Sequence, residues 1–354
     1  MKILFIGAAN SNHTLRWVNA LSNRGHEVLL LTRIDQKAND QFSKKVKIVY
    51  LKFKGGLGYY LNVPSVKKMF KEFSPDIVNV HYLTGYGTTA RLARLKPLVL
   101  SAWGSDVFTF PHKSRFNKWL LKKNVFYADA VASTSIIMAK ELKKVLPLYQ
   151  KEIIVTPFGI DINKFVPAKH THNNIVIGIV KYLEPIYNID LLINAFAILH
   201  KKHSNTVLHI YGDGPLESDL KSLCKTLGVE NNVSFFGVIP NDTVPAAINN
   251  MDIFVNCSLQ ESFGVAVLEA MACEKPVVVT KTPGYCEIVD DGVDGIILKD
   301  REPQTMANAF EYLISNPRIM DSFGKKGREK VIKKYDWNKN VSTMEELYKK
   351  TAEG

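Results

Sequence analysis

What most constrains this chain is an alternation, sustained over most of its length, between short β-rich apolar runs and longer segments of helical period. Runs at 3–7, 28–32, 47–53, 77–80, 98–102, 130–133 and 153–156 read as strands, with helical patterns at 14–24, 63–73 and 135–145 between them. Strands of this kind are buried on both faces, and the intervening helices supply the cover, so the pattern predicts a parallel sheet between helical layers. It pauses at Pro157-Phe158-Gly159-Ile160-Asp161 and stays irregular through 170–174, a polar stretch with Pro167 that reads as a linker. A second series follows, with strands at 175–180, 206–211, 233–236, 252–255, 276–280 and 295–298, and helices at 190–200, 216–227, 264–273 and 303–315. From Pro317 onward the chain is helical, with a break near Tyr335-Asp336-Trp337. The predicted architecture is α/β: two Rossmann-like doubly wound domains, 1–165 and 166–330, facing each other across a cleft, and a helical tail at 331–354 that returns to the first.

A chain of 354 residues suits two such cores. Its apolar start ends by Asn10, too early for a secretory signal, and no run reaches the length of a bilayer span. The four cysteines, Cys224, Cys257, Cys273 and Cys286, lack metal-ligand spacing and read as free thiols of a reducing cytosol. The expected localisation is cytoplasmic, with peripheral contact to the inner membrane face. Charge motivates that contact. Through Phe165 there are 26 Lys/Arg against 10 Asp/Glu, and beyond it 20 against 24. A host-wide lysine bias would not spare the second half, so the first half is expected to meet an anionic partner. Two stretches mix cations with aromatics, 52–71 and 112–123, and the second reads as a basic amphipathic helix. The alternative there is an ordinary helix with Trp119 and Leu120 in the core. No nucleic-acid-binding motif is present, and no nucleic acid partner is expected.

The most informative stretch runs from 258 to 272. It follows an apolar strand, holds Glu261 and then Phe263-Gly264, and opens a helix of good formers containing Glu269. Unpaired amides at that helix start suit a phosphate. Eight residues of helical rise would separate the two acids by about 12 Å, too far for a glycosidase pair. They could instead serve the sugar and the ribose of one extended ligand.

Beyond this stretch lie Pro276-Val277-Val278, Gly284, Glu287 and Gly292-Val293-Asp294-Gly295; before it lie Arg24-Gly25-His26, Pro157-Phe158-Gly159-Ile160-Asp161 and Gly212-Asp213-Gly214-Pro215. Taken together, with Phe236-Gly237 and Tyr335-Asp336-Trp337, the chain resembles the family-4 retaining glycosyltransferases of the GT-B fold. The resemblance implies an acceptor-binding first domain and a donor-binding second. It places Glu261 at the donor sugar, Glu269 at the ribose, and the amides near Ser262, Phe263, Gly264 and Val265 at phosphate or sugar. Gly237 and Val238 would lie against the nucleobase. The co-substrate would be a nucleotide-sugar, with UDP preferred, and the acceptor a glycan or a lipid-linked molecule. No further cofactor and no metal are implied; positioning and stabilisation of the departing diphosphate would carry catalysis.

The chain departs from the family at several points. Two cations normally meet the leaving group after the first strand of the second domain; here Lys181 supplies one, while Ile186, Tyr187 and Asn188 replace the lysine-glycine neighbourhood. In the first domain Ala8-Ala9 stands for a Gly-Gly loop, leaving Asn10, Ser11 and His13 as candidates for phosphate or acceptor. Trp103 replaces a familiar histidine, and reads either as a sugar-facing platform or as core packing. Asp106 reads either as a hydroxyl-binding, catalytic carboxylate beside Glu261 and Lys181, or as a helix cap. His81 ends a strand at the ligand edge and joins the candidates. Among rivals, a dehydrogenase lacks its glycine fingerprint at 7–12. A nucleotide-sugar epimerase of the same fold, or a catalytically weakened sugar-nucleotide-binding protein, remain as alternatives.

Overall fold

The computed structural model describes residues 1–168 and 173–354. Residues 169–172, which carry part of the predicted linker, lie outside the described ones. The chain forms two compact units: Met1–Phe158 with Asn338–Gly354, and Gly159–Trp337.

The first unit is built on seven parallel strands: β1 (Lys2–Ile6), β2 (Glu27–Arg33), β3 (Lys47–Leu51), β4 (Ile77–His81), β5 (Leu98–Ala102), β6 (Ala130–Ser133) and β7 (Ile153–Val155). Their order is β3-β2-β1-β4-β5-β6-β7. The second unit holds β8 (Ile175–Val180), β9 (Thr206–Tyr211), β10 (Val233–Phe235), β11 (Ile253–Asn256), β12 (Val277–Thr280) and β13 (Gly295–Leu298), in the order β10-β9-β8-β11-β12-β13. Both are doubly wound sheets. Every residue of β4, β5, β11 and β12 is buried, as strands covered on two faces must be. In each sheet the strand order reverses once, between β1 and β4 and between β8 and β11, and ligands of such folds bind at the carboxyl ends of the strands there.

Helix starts follow local chemistry. The Ser135 hydroxyl accepts the Met138 N–H at 3.1 Å, and Thr282 accepts that of Tyr285 at 3.3 Å. One helix, Gly55–Leu61, departs from sequence expectation, since three of its seven residues are glycine. Tertiary contacts hold it: the Asn62 side chain accepts the Phe53 N–H (3.0 Å) and donates to the Phe53 carbonyl (2.7 Å).

After a break at Tyr335-Asp336, where Ile160 N–H donates to the Tyr335 carbonyl at 2.7 Å, the last helix runs Trp337–Glu353. Val341, Met344, Leu347 and Tyr348 bury its apolar side. Arg24 and His26 fasten it to the first unit through Glu345, at 2.5 and 2.8 Å. Burial pushes the Glu345 carboxyl up, but the hydrogen bonds from His26 and Arg24 outweigh it and leave the group below its ordinary value.

Candidate active site

Loops leaving β8 and β11 diverge at the reversal point of the second sheet. Lys181 directly follows β8, its N–H donating to the Tyr211 carbonyl at 2.9 Å, and Glu261 lies in the loop after β11. The Lys181 ammonium meets Glu261 Oε2 at 2.9 Å, with each side chain 17% exposed. It also stands 4.5 Å from the centroid of the Tyr187 ring, a cation–π contact. The two loops are joined: Leu259 N–H donates to the Ile186 carbonyl (2.8 Å) and the Cys257 thiol to that of Tyr187 (3.2 Å). Glu261 Oε1 accepts the N–H groups of Ser262 and Phe263, at 3.0 and 3.5 Å. The carboxylate is therefore held by an ammonium on one oxygen and backbone amides on the other.

Gly264 then turns the chain into the helix Val265–Ala272 at φ +102°. A Cβ there would come within 2.9 Å of Tyr285 and Ile288, so conformation and space both require glycine. Ser262 and Val265 are half-buried, whereas the Phe263 ring is in the core and leaves only its backbone for a ligand. Glu269 is half-buried farther along the helix; burial first, and its charge second among the raising causes, push the Cys273 thiol up to about 12. After β10, Gly237 bridges Gly212, whose N–H donates to the Gly237 carbonyl at 2.8 Å. Phe236 stacks on Tyr211 with centroids 4.5 Å apart, and Val238 is exposed beside them.

Two supporting residues escaped the sequence reading. Tyr285 is fully buried, its hydroxyl 3.2 Å from Ser258 Oγ, which donates to Asn256 Oδ1 at 2.9 Å beneath the Glu261 loop. Burial, then the nearby Glu261 charge, raise the Tyr285 phenol well above its usual value. The Thr282-Pro283 helix start was the available signal for it. Arg301 donates to the Leu259 carbonyl at 3.0 Å, bringing an exposed guanidinium to the same loop. Nothing local in the sequence linked it to that loop, 42 residues earlier.

At the first sheet's reversal point the predicted residues are arranged differently. Asn10 is exposed; Ser11 begins the helix Asn12–Asn23 without a side-chain capping bond. His13 stacks on Phe158 at 3.9 Å, and Trp103 packs against His81 (4.0 Å) and edge-on to His13 and Phe158 (5.4 Å each). Trp103 is 9% exposed, in keeping with the packing alternative of its two readings. His81 is buried, with Nδ1 3.2 Å from Thr14 Oγ1. Burial, then the Arg16 charge, lower His13 to about 4; burial, then His13, hold His81 well below its usual value. Both rings are neutral at pH 7. Asp106 is 1% exposed. One of its oxygens accepts the Leu83 N–H (2.9 Å) and the other those of Trp103 (3.1 Å) and Gly104 (2.9 Å). It ties the loops after β4 and β5 together, in keeping with the capping alternative of the two roles its sequence position allowed. Burial raises its pKa, against the lowering effect of those amides.

A cavity of about 580 Å³ lined by Lys96, Asp129, Lys151 and Leu347 opens at the amino-terminal ends of β5–β7, the wrong edge of the sheet for a ligand of this fold. Among the described residues no group of three or more His, Cys, Asp or Glu is placed to hold a metal ion, and no helix is long and apolar enough to cross a membrane.

Comparison with known proteins agrees with this geometry. Residues 161–330 match the family of glycosyl transferases group 1, and residues 2–135 the glycosyl transferase 4-like family. An uncharacterized glycosyltransferase of Methanocaldococcus jannaschii is 24% identical over 86% of this chain and 84% of its own length. The N-acetyl-alpha-D-glucosaminyl L-malate synthase of Bacillus anthracis is 24% identical over 93% and 90%. Among solved structures, Anabaena HepE in complex with UDP superposes with a TM-score of 0.83, covering 99% of this chain and 100% of its own at 21% identity. HepE in complex with UDP-glucose gives a TM-score of 0.80 with the same identity and coverage. Nothing among these relatives favours the epimerase alternative. The chain belongs to the group 1, family-4-like glycosyltransferases and has their GT-B fold.

Proposed function

We propose that this glycosyltransferase moves a sugar from a UDP-sugar to a lipid-linked or cell-surface glycan acceptor, with retention of anomeric configuration and without a metal ion. The observation that carries the reading is the Lys181–Glu261 pair at the reversal point, beside the start of the helix Val265–Ala272. The acid faces the sugar, the ammonium meets the leaving diphosphate, and the helix amides add fixed positive potential where charge develops. When donor enters, diphosphate replaces Glu261 as the partner of Lys181 and frees the carboxylate for sugar hydroxyls. Arg301 supplies the second cation that Ile186 and Tyr187 lack. The exposed Phe236–Val238 turn takes the base, and Glu269 the ribose. UDP is favoured because HepE was crystallised with UDP and UDP-glucose.

A nucleotide-sugar panel read by thermal shift tests the donor, since ligand at a hundredfold over its Kd adds about 2.7 kcal/mol. UDP-sugars should raise Tm above GDP-sugars. NMR of the product should give the donor's anomer, and chelator should leave the rate unchanged. An inverted product, or loss of turnover in chelator, overturns the corresponding part.

A further inference from the structure

We propose that the first unit docks on an anionic membrane surface through the outer face of the helix Arg115–Tyr127, with Phe116 and Trp119 entering the lipid interface. The helix buries Leu120, Leu121, Asn124 and Val125 against its unit. At 3.6 residues per turn, Phe116, Trp119 and Phe126 fall on the opposite side, where they are 60%, 49% and 44% exposed. Scattered apolar residues on a surface need no explanation, but three large rings on one solvent face of one helix do. Phe116 and Trp119 stack on each other, centroids 5.7 Å apart at 27°, and so form a single wedge.

Cations rim that wedge. The Lys123 ammonium lies 5.9 Å from the Trp119 ring and that of Lys122 5.7 Å from Phe126, with Lys113, Arg115 and Lys118 exposed alongside. Residues 86–128 contain eight Lys/Arg and one acidic residue, Asp106, which is buried. An earlier helix, Tyr86–Leu92, is tied on by Arg91 Nε donating to Asn124 Oδ1 at 2.8 Å, and adds exposed Leu92.

Aromatic rings fringed by ammonium groups match the headgroup layer, where rings sit at the apolar boundary and cations reach lipid phosphate. A nucleic acid would use the same cations but stacks its bases on open ring faces; the contact between Phe116 and Trp119 closes one face of each ring. The surface deepens the lipid-linked acceptor reading and rests on it only for its purpose. Vesicle binding requires neither donor nor acceptor, so the two ideas fail separately.

The test is co-sedimentation of the full chain with phosphatidylglycerol-containing and pure phosphatidylcholine vesicles, at low and high salt. Anionic vesicles should bind at least about tenfold better at low salt, and high salt should erase the preference. A Phe116→Ser/Trp119→Ser double variant and a Lys122→Glu/Lys123→Glu double variant should each weaken binding by about tenfold or more. Both should keep wild-type Tm and wild-type UDP release from UDP-sugar in solution. Brominated lipid should quench the part of the tryptophan emission that Trp119→Phe removes, because Trp119 is exposed while Trp17 and Trp103 are buried and Trp337 is half-buried. Equal affinity for neutral and anionic vesicles, binding indifferent to loss of the rings, or absence of quenching would overturn the proposal. So would tighter binding to an oligonucleotide that survives loss of the rings, which would assign the face to nucleic acid.

Discussion

Where strand order reverses, the second sheet presents an ammonium and a carboxylate 2.9 Å apart, whereas the first presents aromatic rings packed around two neutral histidines and a carboxylate saturated by backbone amides. One topology thus produces two edges of opposite character. The difference lies in burial. Lys181 and Glu261 keep partial contact with solvent and can exchange one partner for another, while Asp106 is fully desolvated and every interaction it makes is already committed. Moving a charge from such a site is costly, so it holds structure in place. The second edge thus carries a partly solvated ion pair, and the first a packed, desolvated cluster.

That contrast can be broken by substitution, starting with the largest effect. Glu261→Ala should lower turnover by on the order of 10³ while UDP affinity changes by no more than about threefold. Single-turnover UDP release with parallel calorimetry checks this, and a wild-type rate would remove Glu261 from the reaction. Asp106→Ala should strip acceptors from three buried amides and cost about 3 kcal/mol or more of stability, read by urea unfolding. Lost transfer at unchanged stability would instead mean that Asp106 touches substrate.

The histidines of the first edge respond to pH. His13 titrates near 4 in the folded chain against 6.5 when free, so the unfolded state takes up the proton first. Stability from its neutral form is complete above pH 6.5 and is lost as pH falls toward 4, with a ceiling of about 3 kcal/mol. His13→Phe should flatten that part of the urea-midpoint profile; an unchanged slope would place the histidine outside the buried cluster. The smallest effects belong to donor grip. Lys181→Met should raise the UDP Kd by about 10- to 100-fold, with Lys181→Arg recovering part of it, and Glu269→Ala should raise it by about tenfold. Titration calorimetry on all three ranks them, and an unaltered Kd in Lys181→Met would leave the diphosphate to other groups.

Much of this was legible in the residues. The strand segments were readable because an apolar run bounded by turn residues needs no distant partner to identify it. The Glu261–Glu269 block was readable because its glycine, its helix formers and its acids are contiguous. Asp106 and Trp103 were not, since each allowed a polar and a packing role until the loops after β4 and β5 were seen to converge on them. The helix Gly55–Leu61 was hidden for a related reason: its glycines argue against helix, and Asn62, clamped on Phe53, overrides them. Trp119 shows the reverse. A core place and an outer place were both compatible with its helical period, and the packing of Leu120, Leu121 and Val125 chose the outer one.

Periodicity and local turn chemistry act between near neighbours, and they were enough to specify two parallel-sheet units, the strand segments within each and the acidic helix-start block; the uneven charge is a matter of composition. It took the folded chain to pair Lys181 with Glu261, 80 residues apart, to hold the last helix on Arg24 and His26 through Glu345, and to choose which aromatics face water. Those outcomes depend on which loops a sheet edge brings together and on how much solvent each charge retains, and neither quantity is a property of any short stretch of chain.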